Sequence, residues 1–186
     1  MTDTPEDRWK TLSAALDTFH KLASDRDRKA VWMADALERL LTDYIGIPLG
    51  RDGVPGWPPI SPIRFYAYKA GMSPECDTFD LKDNVSDAIG IDAEGFCTFG
   101  IGVQLEMQPH ARPRYRFNWF VRVKLDDGQW TCQVGVGDQK LFALTPPQKI
   151  EDLLPIVDAI YTGLRGWLQA ASGAGSQRSI GFSTDE

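Results

Sequence analysis

Apolar residues in the first 45 positions recur every three or four residues, which is the spacing of one face of a helix. Two such runs are present. The first begins at the capping pair Thr4–Pro5, and the second begins at Asp25 or Asp27 and ends before Gly46. The short link between them predicts an antiparallel helical pair over residues 5–45. The apolar stripes consist of Trp9, Leu12, Leu16, Phe19 and Leu22 in the first run, and of Val31, Ala34, Leu37, Leu41 and Tyr44 in the second.

The next segment, residues 46–62, contains four glycines and five prolines. Neither a helix nor a central strand tolerates that density, so we predict a long loop. Loops of this length in a compact domain are often functional. We favour a stiff surface wrap with Trp57 packed on the core over a mobile lid. Residues 63–69 then predict a strand, and residues 70–84 are irregular and acidic.

Between residues 85 and 144 the pattern changes to alternation of apolar and polar residues, which is typical of strands with one buried face. Turn signals separate five such segments. Because short turns and one seven-residue loop (residues 108–114) join neighbouring segments, we predict a five-stranded antiparallel meander. The segments are 85–91, 97–107, 115–125, 130–136 and 141–143, and the turn signals include Ala93–Gly95, Asp127–Gly128 and Gly137–Asp138.

The turns also predict which residues lie opposite each other. A two-residue turn at Asp127–Gly128 pairs Leu125 with Trp130. In the preceding hairpin, the apolar pattern places Arg116 opposite Glu106 as an opposite-charge pair. In these registers the cross-strand neighbours are Gly102 and Gly135 for Phe120, and Gly100 and Gln133 for Arg122.

Helical spacing returns from about residue 148 to 171, and the Gly/Ser-rich residues 172–186 predict a flexible C-terminal tail. We therefore predict a single α+β domain over residues 1–171. In this fold a curved antiparallel β-meander of five or six strands packs its apolar face against the long C-terminal helix. The N-terminal helical pair covers the remainder of that face or an edge.

Charge is distributed unevenly along the chain. There are 20 basic and 26 acidic residues, a net charge of −6. Residues 96–125 nevertheless carry five basic residues and one acidic residue, a net charge of +4, which leaves −10 for the rest. The overall acidity argues against binding of duplex nucleic acid or of an anionic membrane.

The polar face of the predicted sheet is the strongest candidate site. Arginine binds carboxylate or phosphate groups, and Phe120 is expected to be an exposed stacking surface. Glycines inside these strands indicate sheet curvature, a large neighbour above them, or close approach of a helix or ligand. A solvated face with salt bridges to the acidic segments is the simpler interpretation. The candidate ligand-binding residues are Gln104, Arg116, Asn118, Phe120, Arg122 and Gln133.

We find no catalytic, cofactor or metal signature. No phosphate loop, nucleophile elbow or dinucleotide fingerprint occurs. His20 and His110 have no ligand at metal-binding spacing, and the acidic residues between 77 and 94 lack the order of a calcium loop. We therefore predict no catalytic residue, no metal and no cofactor.

The compartment is inferred from the cysteines and the N-terminus. Cys97 and Cys132 fall on apolar strand faces and are expected to be buried thiols. No signal peptide and no long apolar run is visible, which predicts a cytoplasmic protein without a membrane span.

Two hypotheses for function follow. The first is a cytoplasmic, non-enzymatic binding or protein-interaction module that uses the polar, basic sheet face or a sheet edge. An exposed edge or Gly-lined face also favours a homodimer. The alternative is a small-molecule-binding cup or small enzyme acting on an anionic ligand, with a pocket between sheet and helices that loop 46–62 closes.

Overall fold

A computed structural model of the chain describes residues 4–46, 62–72, 76–105, 114–126, 129–135, 140–144, 149–173 and 182–185. Helices pack on one face of a curved antiparallel sheet, so the predicted α+β fold class is confirmed. The helices are α1 (Pro5–Ile45), the single turn α2 (Val85–Ala88) and α3 (Leu154–Gly173), which a 3₁₀ turn at Ile150–Leu153 precedes. The strands are β1 (Ile63–Lys69), β2 (Thr78–Lys82), β3 (Gly90–Ile91), β4 (Cys97–Leu105), β5 (Arg114–Asp126), β6 (Gln129–Gly135), β7 (Lys140–Leu144) and β8 (Phe182–Asp185).

Helix α1 is continuous for 41 residues, which corrects the predicted helical pair. It begins at a capping box, where the Thr4 hydroxyl accepts the backbone N–H of Asp7 at 3.2 Å, and it ends at Gly46 with φ 67°. No glycine or proline interrupts residues 6–45. Asp25, which we predicted as a possible helix start, lies inside the helix and forms ion pairs with Arg28 and Lys29 one turn later. These i, i+3 and i, i+4 pairs satisfy the carboxylate without a chain break.

The strand order of the sheet is β2-β1-β4-β5-β6-β7, and each neighbouring pair is antiparallel. Strand β1 pairs with β4, so the sheet includes a strand that precedes residue 85 and is not a neighbour of β4 in the chain. Residues 85–91, predicted as one strand, form α2 and the short β3. Val85 and Ile89 are four residues apart, and that spacing suits a helical turn as well as a strand. Residues 78–82, predicted to be irregular, form the edge strand β2.

The register between β5 and β6 is confirmed, with Leu125 opposite Trp130. The register between β4 and β5 differs from the prediction by two residues, because Arg116 lies opposite Gln104 instead of Glu106. A shift of two residues leaves each side chain on the same face, so the apolar pattern alone does not distinguish the two registers. The cross-strand neighbours are therefore Gly100 and Gly135 for Phe120, and Thr98 and Gln133 for Arg122.

Strand β7 presents the opposite side chains from those predicted. Phe142 lies opposite Cys132 and Leu144 is buried, whereas Leu141 is 66% exposed. The prediction placed Leu141 and Ala143 on the apolar face. A register change of one residue after β6 exchanges the two faces of a strand, and that change explains the difference.

The apolar face of the sheet is closed by the second half of α1 and by α3, as predicted. The ring of Phe117 on β5 lies 4.7 Å from that of Trp167 on α3, and Trp130 on β6 lies 6.1 Å from Trp32 on α1. Among the most buried side chains are Met33, Leu37, Leu41, Phe99, Ile101, Val121, Ile156 and Ile160.

Some predictions fall outside the described residues. These are the turns Asp127–Gly128 and Gly137–Asp138 and nearly all of loop 46–62. In the predicted flexible tail, Phe182–Asp185 forms β8 and pairs with the first four residues of β5, which corrects the prediction over that stretch. Strand β6 pairs with β5 only from Phe120 onward, so the backbone groups at the start of that edge can bond to another strand.

Candidate functional site

Four aromatic side chains form a cluster on the polar face of the sheet, and we call this group the aromatic cover. The ring of Phe120 stacks on that of Tyr68, with centroids 5.1 Å apart and planes inclined by 18°. Phe79 contacts both Tyr68 and Tyr66, with centroid distances of 5.3 and 6.4 Å. Phe120 is only 3% exposed and Tyr66 only 1%. The prediction of an exposed Phe120 is therefore wrong, because the chain's own strands β1 and β2 cover it.

Strand register explains why this cover forms above glycines. Tyr66, Gly100 and Phe120 lie side by side on three adjacent strands, so a residue without a side chain separates two large rings. A Cβ atom at Gly100 would approach Phe79 Cδ1 to 2.6 Å, and one at Gly102 would approach Asn118 Oδ1 to 2.5 Å. Of the three explanations that the sequence left open, the large neighbour is the one present over these glycines.

Next to the aromatic cover, Arg122 is held by two acidic residues of the turn between β3 and β4. Its guanidinium donates from Nε and Nη2 to Asp92 Oδ2 at 2.9 and 2.6 Å, and from Nη2 to Glu94 Oε2 at 3.0 Å. Nη1 donates to Gln133 Oε1 at 3.1 Å. The guanidinium carbon also lies 4.4 Å from the Phe96 ring centroid. This arrangement, the Arg122 cluster, matches the simpler interpretation in which basic residues pair with acidic segments.

The turn that carries Asp92 is organised by its own carboxylate. Asp92 Oδ1 accepts the backbone N–H groups of Glu94 and Phe96, each at 2.9 Å, and Gly95 has the predicted positive φ of 82°. Partial burial raises the pKa of Asp92, but the hydrogen bonds from Arg122 and from the Phe96 N–H outweigh that effect and lower it below the ordinary value. The carboxylate is therefore charged at neutral pH and fixes Arg122.

The hydroxyl of Tyr68 in the aromatic cover has a charged partner. It donates to Asp77 Oδ2 at 3.1 Å. Burial and the neighbouring Asp77 charge raise the pKa of the Tyr68 phenol to about 12. The phenol stays protonated at neutral pH, so it acts as a hydrogen-bond donor and not as a base.

The six predicted site residues share the polar face, but they divide into two groups. Phe120, Arg122 and Gln133 belong to the covered region described above. Gln104 and Arg116 form a cross-strand pair near the other end of β4 and β5, beside Asn118. The Arg116 guanidinium lies 5.6 Å from the Tyr66 ring centroid. Arg116 therefore lies beside the aromatic cover, whereas Arg122 has Asp92, Glu94 and Gln133 as its partners.

Asn118 is a buried polar residue of this face. Its side chain is 8% exposed, and its Oδ1 atom accepts no hydrogen bond from the described residues. A buried oxygen of this kind can accept a hydrogen bond from a donor such as water. The Nδ2 group of the same amide is a donor, so the role of Asn118 in ligand binding stays a prediction.

A stripe of exposed apolar side chains lies elsewhere, on the first part of α1. None of residues 5–29, which we call the arm, is buried, and the first buried residue of the helix is Ala30. At 1.5 Å per residue the arm is about 38 Å long. Five large apolar side chains on it are between 55% and 71% exposed: Trp9, Leu12, Leu16, Phe19 and Leu22. The sequence pattern identified this stripe correctly but indicated a helical partner within the chain.

Cysteines and titratable groups offer little further chemistry in the described part of the chain. Cys97 and Cys132 are buried free thiols, as predicted, and burial raises the pKa of Cys132 to about 12. Cys76 is exposed. Across the described residues no three His, Cys, Asp or Glu side chains are grouped to hold a metal ion. No described helix combines the length and the apolar character that a membrane crossing requires.

Sequence reasoning missed three parts of this arrangement: the aromatic cover, the acidic partners of Arg122 and the exposure of the arm. Tyr66 and Tyr68 alternate with core residues in the strand that we predicted, so alternation could have placed their rings on the polar face. The pairing of β1 with β4 has no local signal, because the two strands are separated by about 30 residues.

Comparison with known proteins adds no family assignment. No family model matches the chain, and comparisons with the curated proteins and with the solved structures give no match either.

Proposed function

We propose that the chain is a non-enzymatic protein-interaction module of the cytoplasm, and that the apolar face of the arm is its binding surface. The observation that carries this proposal is the stripe from Trp9 to Leu22, whose five large side chains are each more than half exposed. Monomeric proteins rarely leave a contiguous apolar surface of several hundred Å² uncovered. Free thiols, two of them buried, support a reducing compartment.

Other surfaces support a protein partner less strongly. The polar sheet face is partly closed by the aromatic cover and the Arg122 cluster. The two outermost strands of the main sheet each expose one large apolar side chain, Leu81 on β2 and Leu141 on β7. Sheet edges can pair with an added strand, but the arm offers more apolar area.

The alternative function, capture of a small anionic ligand by the basic sheet face, has weaker support. The guanidinium of Arg122 already donates to two carboxylates, which an incoming anion would have to displace. Such displacement would leave Asp92 and Glu94 close to the anion, and like charges repel.

Site-specific photo-crosslinking in cells tests the proposed function. A benzophenone amino acid replaces Leu16 on the apolar stripe or, as the matched control, Ala14 on the opposite face of the same helical turn. We expect cross-linked protein products from position 16 and few from position 14. Equal yields at both positions, or no protein product at position 16, would contradict the proposal.

A further inference from the structure

We infer that the occupant of the arm is a second copy of this chain, bound antiparallel so that two arms form a short helical pair. This inference rests on the proposed interaction function and specifies its partner. Trp9, Leu12, Leu16 and Phe19 alternate at spacings of three and four residues, and Ala23 continues the series. That is the a/d spacing of a two-helix seam.

The antiparallel direction of pairing follows from what the same face of α1 contacts beyond the arm. Continuing the spacing of three and four residues from Ala23 passes through Arg26 and then reaches Ala30, Met33 and Leu37, which are buried against the sheet and α3. A parallel partner helix would therefore meet the chain's own core at residue 30. An antiparallel partner that crosses near residue 14 runs past the N-terminus of the first arm, and the two domains then lie at opposite ends of the pair.

Charge along the arm favours the same direction. Residues 5–17 carry three acidic and two basic residues, a net charge of −1, whereas residues 18–29 carry two acidic and four basic residues, a net charge of +2. Antiparallel pairing places each acidic half against a basic half and opposes the two helix dipoles. A parallel pair would align like halves.

The exposed area is of the right order for self-association. Five large apolar side chains, two of them aromatic, present on the order of 600 Å² per arm, given that a large aromatic side chain buries about 150–250 Å². Stable interfaces bury about 800 Å² per partner, so the pair would be modest in strength and dependent on concentration. The face opposite the stripe mixes Asp7, Ala14 and Lys21, and it lacks the Lys/Arg enrichment of a membrane-surface helix.

Sedimentation of the purified full chain between about 1 and 100 µM measures the association. We expect a monomer–dimer equilibrium whose dissociation constant rises on the order of a hundredfold in Leu16→Asp, because each dimer would bury two carboxylates in the seam. Ala14→Asp carries the same charge on the opposite face and should associate like the parent chain. A parent chain that stays monomeric, or equal weakening by both substitutions, would overturn the inference.

Spin labels determine the direction of pairing. In a Cys76→Ser background, which removes the exposed native thiol, Arg28→Cys carries the label. Antiparallel arms that cross near residue 14 separate the two labels by about 40 Å at 1.5 Å per residue. A label separation near 15 Å, the spacing of two parallel helices with their labels, would overturn the antiparallel arrangement.

The outcomes also separate this inference from the proposed function. A purified chain that is monomeric, combined with position-16 products in cells whose mass differs from that of a homodimer, overturns self-association and leaves the interaction function standing. Products of homodimer mass support both. Co-sedimentation of monomeric chain with anionic phospholipid vesicles, lost in Leu16→Asp, would overturn both in favour of a membrane.

Discussion

The arm and the aromatic cover are two apolar surfaces outside the main core, and they differ in what covers them. Phe120 in the aromatic cover is 3% exposed, whereas Phe19 on the arm is 63% exposed. Both surfaces are built from large side chains at regular spacing. Strands β1 and β2 of the same chain close the first, and no described residue closes the second. Regular apolar spacing therefore indicates that a face needs a partner, but the tertiary structure decides whether the chain supplies one.

The largest expected difference in stability is between two variants that each replace a phenylalanine by alanine, one on each surface. We expect Phe120→Ala to lower the free energy of unfolding by about 3–5 kcal/mol, because it deletes a buried ring stacked on Tyr68. Phe19→Ala should change the stability of the dilute monomer by less than about 0.5 kcal/mol. Urea unfolding at low protein concentration measures both variants. Similar losses for the two would mean that the arm packs on the domain, and the comparison would fail.

The next effect concerns the space beneath the aromatic cover. Gly100→Ala and Gly102→Ala should each destabilise the fold by about 1–3 kcal/mol, since the added methyl group meets Phe79 or Asn118 well inside contact distance. Gly90→Ala is the matched control, because its Cβ would come no closer than 3.4 Å to the Thr98 hydroxyl. Thermal unfolding compares the three variants. If Gly100→Ala behaves like Gly90→Ala, the cover is more loosely packed than the geometry indicates.

A smaller effect, of about 1–2 kcal/mol, is expected at the Arg122 cluster when Asp92→Asn removes the charge opposite the guanidinium. The native pKa of Asp92 lies below the ordinary 3.8, so its contribution is fully present above that value. It is lost as the pH falls through the lower native pKa, because the unfolded chain then binds the proton first. Unfolding of the parent chain and of Asp92→Asn between pH 7 and 3 should show a difference in stability that narrows as the pH falls below 3.8. A constant difference across this range would show that Asp92 does not act through its charge.

The smallest effect has the opposite sign. Gly166 lies on the exposed side of α3, and a Cβ there would meet no atom within 4 Å. Gly166→Ala should stabilise the chain by about 0.5–1 kcal/mol through helix propensity alone. Thermal unfolding of this variant measures the change in stability caused by a methyl group that contacts no neighbouring atom. Destabilisation would indicate that another surface covers this part of α3 in solution.

Much of the architecture could be predicted from local pattern. The long C-terminal helix, strands β1, β4, β5 and β6, the register between β5 and β6 and the buried thiols all follow from spacing and turn chemistry. Prediction failed where one apolar pattern is compatible with two structures. Val85 and Ile89 suit a helical turn or a strand, and a two-residue shift between β4 and β5 leaves the apolar face unchanged.

The candidate site was harder to predict, because its key contacts join distant segments. The sequence correctly placed Phe120 and Arg122 on one polar sheet face, with a glycine on each side of Phe120, but the predicted glycine neighbour of Arg122 is replaced by Thr98. It carried no signal that Tyr68 would stack on Phe120 or that Asp92 would pair with Arg122, since these pairs are separated by 52 and 30 residues. Whether that face binds a ligand stays a prediction.

By itself, the sequence determined which residues need burial and with what periodicity, because helix and strand geometry repeat at fixed intervals along the chain. It also determined that residues 96–125 carry a net positive charge of +4 within an acidic chain. Only the tertiary structure decided what meets each face. The pairing of β1 with β4 brings Tyr66 over glycine and closes the polar face, and the absence of a helix break near Asp25 extends α1 beyond the domain and leaves the arm's stripe exposed. These outcomes depend on contacts between distant residues, and such contacts have no local period.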